Sequence, residues 1–490
     1  MTSVLTGSAP STTQVHSRAT AFSTPRADPR RIATSGLPRA SSTIAVAGAI
    51  LASLAPSLLP RTAPTQAVFS GTIAAVVLGI VILARRLGRH VPRWRDRRAP
   101  RESMRFLALT GSMVAVSWAM ILADHWQDSL RTAMGMPTVG PGHWIRTIVF
   151  ATATFLILVG VGIIIAAVVR RLGWIGSVAG AIALATGLQL VAAPTLWAMT
   201  SGSYSDADTL VDVSVQRPMS GELSGSSDSA ITWESLGRQG RRFVAAGEQS
   251  PSIRTYVGVN SAPDVESRAS LAVSELERAG GFARSAIVVA VPTGSGWIDE
   301  NAVDGFEERF DGDVAIVGMQ YSYLPSWMAF MFNRSAANES AAALFDAIAD
   351  RIENLPADGF RPMLYVYGQS LGSVGGSAIF ASSGQRERQV CAALWAGPPA
   401  RSVEAGGATV IANTSDPVVW WSPGLVLRRP DLAFTHRDAP VPQWIPGITF
   451  LQTSVDLISA LNVPVGHGHR YGTEQGTALP DCAQPGSRSF

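Results

Sequence analysis

Five stretches of this chain, residues 41–60, 62–84, 106–123, 147–169 and 174–199, contain no Asp, Glu, Lys or Arg. Each is about as long as the roughly 20 helical residues needed to cross a hydrocarbon core of about 30 Å. Buried helices of a soluble protein can be equally apolar. Five such runs with charge confined to their joints instead predict a transmembrane domain of about five helices over 41–199. Arginine sets its orientation, because cytoplasmic loops are enriched in it. Arg86, Arg89, Arg93, Arg95, Arg97, Arg98 and Arg101 crowd the joint after the second stretch, and Arg170 with Arg171 follow the fourth. Both joints are expected inside. The charge-balanced segment 124–146 is expected outside, and an odd number of spans then puts everything after Met199 outside. Pro56 and the short first two stretches also fit a re-entrant hairpin, which leaves the parity unchanged.

Composition agrees with a membrane component: 47% of the 490 residues are hydrophobic and 15% are charged. Lys is absent, which excludes Schiff-base, Ser-Lys and Walker-lysine chemistry. The two cysteines, Cys391 and Cys482, are too few for a paired-cysteine zinc or iron-sulfur site, and neither metal nor cofactor is expected. Outside the cytoplasm they could form a disulfide; in a reducing compartment they would be buried thiols. Residues 1–40, rich in Ser, Thr, Pro and Arg with Asp28 as their one acid, read as a disordered cytoplasmic tail. Its Arg30 and Arg31 imitate a twin-arginine signal, a reading that the further apolar runs displace. The arginine cluster lacks stacking aromatics beyond Trp94, so anionic lipid head groups are its expected partner and nucleic acid is not. Residues 200–230, a mixture of Ser, Gly and Asp, read as a flexible linker.

From residue 231 to 490 strand-like runs (253–259, 286–291, 314–319, 363–367, 392–395, 409–412, 448–452) alternate with helical patterns (265–278, 338–354, 371–381). This predicts an α/β domain with a mostly parallel sheet and helices on both faces.

Its central feature is an apolar strand running into Gly368, Gln369, Ser370, Leu371 and Gly372 and then a small-residue helix. A GxSxG match alone is weak, but the strand, tight turn and helix around it are what a strained nucleophile turn requires. A serine hydroxyl needs a general base, which in turn needs a carboxylate to orient it. His436, His467 and His469 are the histidines of the C-terminal half. His467 and His469 follow the last expected strand; His467, the first after Pro464, is the preferred base and His469 the alternative. His436 reads as a loop residue. Asp416, pinned by Pro417 after the strand 409–412, is the expected acid, with Asp456 as runner-up. For the oxyanion hole the backbone N–H of Leu371 is expected to pair with one from the loop 292–297, Gly294 and Ser295 being the candidates. A plain tight turn is the other reading of that loop. The aromatic run 321–332 suits either core packing or an acyl-chain pocket or lid.

With these residues assembled, the chain resembles the membrane-bound alpha/beta-hydrolase family of actinobacteria. In that family a multi-span N-terminal domain precedes the hydrolase. The all-Arg, Ala-rich and Gly-rich composition is consistent with such a source. The resemblance spans about 41–482 and rests on Pro56 to Arg61, on Trp233 with Leu236 to Phe243, and on Thr293 to Trp297. It rests further on Gln320 to Trp327, the Gly368 motif, Asp416 to Trp421 and Gly466 to His469. It implies an alpha/beta-hydrolase fold and a serine esterase or lipase-like activity by a Ser-His-Asp triad. The lipid bilayer is the expected partner, and the expected substrate is a lipid or other apolar ester of the cell envelope. The expected location is the cell membrane, multi-pass, with the catalytic domain extracytoplasmic. An acyltransferase using the same triad, a peptidase and a non-catalytic envelope scaffold are the rival readings.

Overall fold

A computed structural model describes residues 38–88, 102–187, 189–190, 193–356 and 359–482. The tail up to residue 37 and most of the arginine-rich joint, 89–101, lie outside the described residues. The apolar N-terminal sequence forms α1 (Ala40–Ser53), α2 (Ala63–Gly88), α3 (Glu102–Ala133), α4 (Pro141–Gly187) and α5 (Ala193–Thr209). Among the described residues three helices are long and apolar enough to cross a membrane: Ala63–Gly88, Glu102–Ala133 and Pro141–Gly173. The first expected stretch gives only the 14-residue α1, because the chain leaves the helix at Leu54 ahead of Pro56. At Gly173, φ 68° and ψ 173° interrupt α4, a geometry open to glycine alone without strain.

After α6 (Gly237–Ala245) come β1 (Ile253–Val257), α7 (Val265–Arg278), β2 (Ala286–Val291), α8 (Glu300–Arg309), β3 (Val314–Met319), α9 (Ser326–Phe332) and α10 (Arg334–Glu353). They are followed by β4 (Met363–Gln369), α11 (Leu371–Ala378), α12 (Ser383–Gln389), β5 (Ala392–Ala396), β6 (Thr409–Ile411), α13 (Pro417–Trp420), α14 (Ile448–Asp456) and α15 (Glu474–Thr477). The six strands pair in parallel in the order β1-β3-β2-β4-β5-β6. Strands β1, β2, β3 and β5 are buried along their whole length, as expected of apolar runs covered by helices on both faces. Asp264 caps α7 by accepting from Ser267 N–H at 2.7 Å, so that helix begins where its apolar spacing begins.

One expectation fails here. Residues 448–452 are not a strand but the first part of α14, entered through Gly447 at φ 71°. Its buried face is polar, formed by Thr449, Gln452, Thr453 and Asp456 at helical spacing, while Leu451 is exposed. An apolar count therefore gives the wrong period. Parts of the 200–230 stretch are packed, while Val213 and Met219 between them are exposed. Asp208, on α5, is buried and accepts from Arg238 N–H at 3.0 Å and Gln320 Nε2 at 3.2 Å. Farther on, the buried Glu275 carboxylate accepts from Ala230 N–H at 2.7 Å, Ser229 Oγ at 2.8 Å and Ser224 Oγ at 3.2 Å. Composition reads these polar residues as solvated, but a buried carboxylate collects them.

Cys391 and Cys482 form a disulfide with Cα atoms 4.7 Å apart, tying the chain's end to the start of β5. It spans a sequence separation of 91 residues, so its reduction should cost about 2–4 kcal/mol of stability. A lower denaturation midpoint in dithiothreitol, matched by Cys482→Ser without reductant, is the expected result.

The helical and α/β parts share a core. Leu58, Leu59, Leu130 and Met134 pack in one cluster with Ala412, Val419, Trp420, Leu425, Ala439 and Val463. Beside it Arg61, 2% exposed, donates from Nε and Nη2 to Asp456 Oδ1 at 3.0 and 2.8 Å, and Leu58 N–H reaches Oδ2 at 2.8 Å. Asp456, the runner-up for the catalytic acid, is thus the anchor for the α1–α2 turn.

Candidate active site

Strand register brings the ends of four strands to one edge. Val291 pairs with Gly368, Gln369 with Ala396, and Ala396 with Ile411. Loops leaving the carboxyl ends of parallel strands surround the crevice in which open α/β sheets bind ligands. Ser370, Gly397 and the segment 413–416 all emerge there.

Ser370 has φ 54° and ψ −120°, a strained backbone geometry for a residue with a side chain. Its flanking glycines are required by space. A Cβ on Gly368 would lie 2.3 Å from Gly372 O, and one on Gly372 would lie 2.2 Å from Val291 O. The sharp turn holds Ser370 between strand β4 and helix α11, half-buried, with its N–H donating to Ala396 O at 2.9 Å.

Two His-Asp pairs flank this edge. His469 Nδ1 lies 2.7 Å from Asp416 Oδ2, and both side chains are buried. Asp416 also accepts from Tyr471 Oη at 2.6 Å and from Val418 N–H at 2.8 Å, capping the short α13. A carboxylate can only accept, so Nδ1 of His469 carries the proton and Nε2 presents its lone pair. Burial, and then the Asp416 charge, push the Tyr471 hydroxyl well above its ordinary range, which keeps it a donor. His467 Nδ1 lies 3.1 Å from Asp438 Oδ2. Asp438 also accepts from Thr414 Oγ1 and Ser415 N–H at 3.0 Å each, and from Ser415 Oγ.

Position along the sheet separates the two histidines. His436 bridges Asn413 beyond β6, through His436 N–H to Ala412 O at 2.7 Å and Thr414 N–H to His436 O at 2.9 Å. Asp438, two residues after that bridge, is held by Thr414 and Ser415. His469 instead meets β5: its Cε1 lies 2.8 Å from where a Cβ on Gly397 would be, next to the Ala396 carbonyl that holds Ser370. Asp416 is thus partnered with His469 and not with the preferred His467. Sequence order favoured the first histidine of the turn. In the folded turn Gly466 and Gly468 both take positive φ, and Gly468 N–H donates to Ser415 Oγ at 2.7 Å, which carries His469 inward.

Gly397 itself has φ +53°. Gly397→Ala would place a methyl 2.7 Å from Tyr471 Cε2 as well as against His469. The left-handed backbone and these two contacts should make the variant about 1–3 kcal/mol less stable, read as a lower denaturation midpoint in detergent.

Leu371 opens α11 directly after Ser370, where the helix N-terminus favours developing negative charge. Gly294 N–H donates to Ser326 Oγ at 3.3 Å. Ser295 sits in a turn closed by Thr293 N–H to Trp297 O and Gly296 N–H to Thr293 O, both 2.9 Å. The aromatic run divides: Tyr321, Leu324, Met328 and Ala329 pack with Leu371 and Val374, while Trp327, Met331 and Phe332 are exposed. Three contributors carry no sequence signal of their own: Asp438, Ser415 and Ser326. Tyr471 lay within reach as the aromatic two residues beyond His469.

Residues 253–409 and 404–488 match the family model described as "Alpha/beta-hydrolase family", and residues 54–247 match "Alpha/beta-hydrolase family N-terminus". No curated protein and no solved structure matches the chain.

Proposed function

The chain belongs to the alpha/beta-hydrolase family, and from that membership we propose that it is a membrane-anchored serine hydrolase acting on esters through an acyl-enzyme. The observation that carries this reading is the buried 2.7 Å pair of His469 and Asp416 at the strand edge where the strained Ser370 emerges. In this reading Ser370 Oγ attacks the ester carbonyl as its proton passes to His469 Nε2. Asp416 and Tyr471 hold the imidazole and stabilise the imidazolium that forms. Leu371 N–H, at the start of α11, donates to the developing oxyanion, with Gly294 or Ser295 as the second donor. Collapse of the tetrahedral intermediate breaks the bond to the alkoxide, which takes the proton from His469. Water, deprotonated by His469, then attacks the acyl-enzyme, releasing the acid and restoring the Ser370 hydroxyl.

The location belongs to the same proposal. Three candidate spans support a membrane anchor. The turn before α2 and the end of α3 pack on the catalytic part, so the opposite helix ends, Gly88 and Glu102, which flank the arginine-rich sequence, face away from it. Arginine enrichment there and the Cys391–Cys482 bridge both support a catalytic domain outside the cytoplasm.

The test is a panel of matched esters and amides given to the full chain in nanodiscs, with and without an added alcohol. Burst kinetics followed by steady ester turnover is the expected result. Turnover of amides alone would make the chain a peptidase, and acyl transfer to the alcohol in preference to water would make it a transferase.

A further inference from the structure

Helix α9 has two faces with different chemistry. Its inner face, Met328 at 5% and Ala329 at 0% exposure, packs against Leu371 and Val374 on the helix that starts at Ser370. Its outer face leaves Trp327, Met331 and Phe332 at 63%, 68% and 59% exposure. Large apolar side chains gathered on one turn of helix mark a surface that meets something apolar.

What it meets is indicated by its neighbours. The Phe332 ring stands edge-on to Trp197, with centroids 5.2 Å apart, and Trp197 belongs to α5, the helix that follows the candidate spans. Tryptophan collects at membrane-water interfaces, where an apolar ring and a polar N–H are both satisfied. At the C-terminal end of α9 the exposed Arg334 lies over the Phe330 ring, its guanidinium carbon 3.9 Å from the centroid. The patch is thus continuous with the chain's own apolar helices and carries a cation suited to a lipid phosphate.

We propose that the outer face of α9 docks into the surface of the bilayer that holds the chain, so that the catalytic crevice opens at the lipid interface. This rests on the hydrolase reading and deepens it: the substrate is an ester whose acyl chain resides in the bilayer. The face opposite the patch packs on Leu371, and Ser326 at the start of the same helix engages Gly294 N–H. An acyl chain leaving the lipid beside Trp327 and Met331 therefore passes the helix that borders both expected oxyanion donors.

The experiment uses the full chain in nanodiscs. Met331→Cys takes an NBD fluorophore selectively, because Cys391 and Cys482 are bonded to each other. Nitroxide groups near the head of the lipid acyl chains should quench this fluorophore by at least about half, while iodide in solution has little effect. Quenching by iodide and not by lipid nitroxide would overturn the proposal and leave the patch to a protein partner or a second copy. In a second arm, Trp327→Ser/Met331→Ser/Phe332→Ser is compared with wild type on a long-chain ester held in the disc and on a water-soluble short-chain ester. The ratio of kcat/KM values, long-chain over soluble, should fall at least tenfold, and an unchanged ratio would contradict docking. A wild type inactive on both esters would sink the hydrolase reading, while the quenching result would still decide whether α9 meets the bilayer.

Discussion

Replacing His469 or Ser370 with Ala is expected to lower kcat/KM on a soluble ester by about 10⁴-fold or more, and replacing His467 with Ala by less than about tenfold. The difference follows from what each imidazole touches. His469 shares the buried Asp416 with Tyr471 and lies against Gly397, beside the Ala396 carbonyl that holds the Ser370 turn; His467 shares Asp438 with Thr414 and Ser415. Removing His467 leaves Asp438 with those Thr414 and Ser415 contacts, so the loop is still held. Groups that act as one unit are not additive, so Ser370→Ala/His469→Ala should lose no more than the worse single variant. The reverse ranking of the two histidines would move the base to His467. Rates on the water-soluble ester, with folding checked by circular dichroism, decide between them.

The second large effect is expected far from the chemistry. Arg61→Ala strands the fully buried Asp456 carboxylate and should cost about 3–5 kcal/mol, read by denaturant unfolding in detergent. Burial pushes the Asp456 carboxyl up, and the Arg61 guanidinium pulls it back down. Without Arg61 the raised folded-state affinity for a proton grows, so the loss should shrink as pH falls through that raised value. Arg61→Met/Asp456→Leu, which removes both charges, should recover much of the stability. Activity should follow, because the same anchor buttresses the histidine loop. Leu59 Cδ2 lies 3.3 Å from the Cβ position of Gly468, and His469 N–H donates to Ala460 O at 3.0 Å, just beyond α14. The N-terminal turn is therefore part of the support of the site and more than a tether to the membrane.

How much of this could be read from the sequence depends on whether a feature is local. Strands β2 and β3 and helix α7 have the limits read from the sequence, because the two strands are unbroken apolar runs buried on both faces and α7 buries one face at helical spacing. The Ser370 turn was legible for the same reason, since strand, glycines and helix are contiguous. Chain order and Pro417 single out Asp416, which pairs with His469. The choice between His467 and His469 was not legible, because it depends on glycines folding the 466–468 turn against Ser415 and Asp438, which lie well before it in the chain. α14 was misread because its buried side is polar, and that makes sense only once Arg61 and Ala52 are known to receive it: Gln452 Nε2 donates to Ala52 O at 2.6 Å. The packing of 200–230 escaped for a like reason. Ser224 and Ser229 are satisfied by Glu275 on α7, a partner that composition cannot show.

The account stands on one nucleophile activated by one imidazole. Its most direct test is the full chain in nanodiscs exposed to a fluorophosphonate and digested for mass mapping. The account predicts a single phosphonyl adduct on Ser370, absent from Ser370→Ala, formed at least about 10³-fold more slowly in His469→Ala and at near wild-type rate in His467→Ala. An adduct on another residue, or equal labelling of wild type and Ser370→Ala, would contradict it.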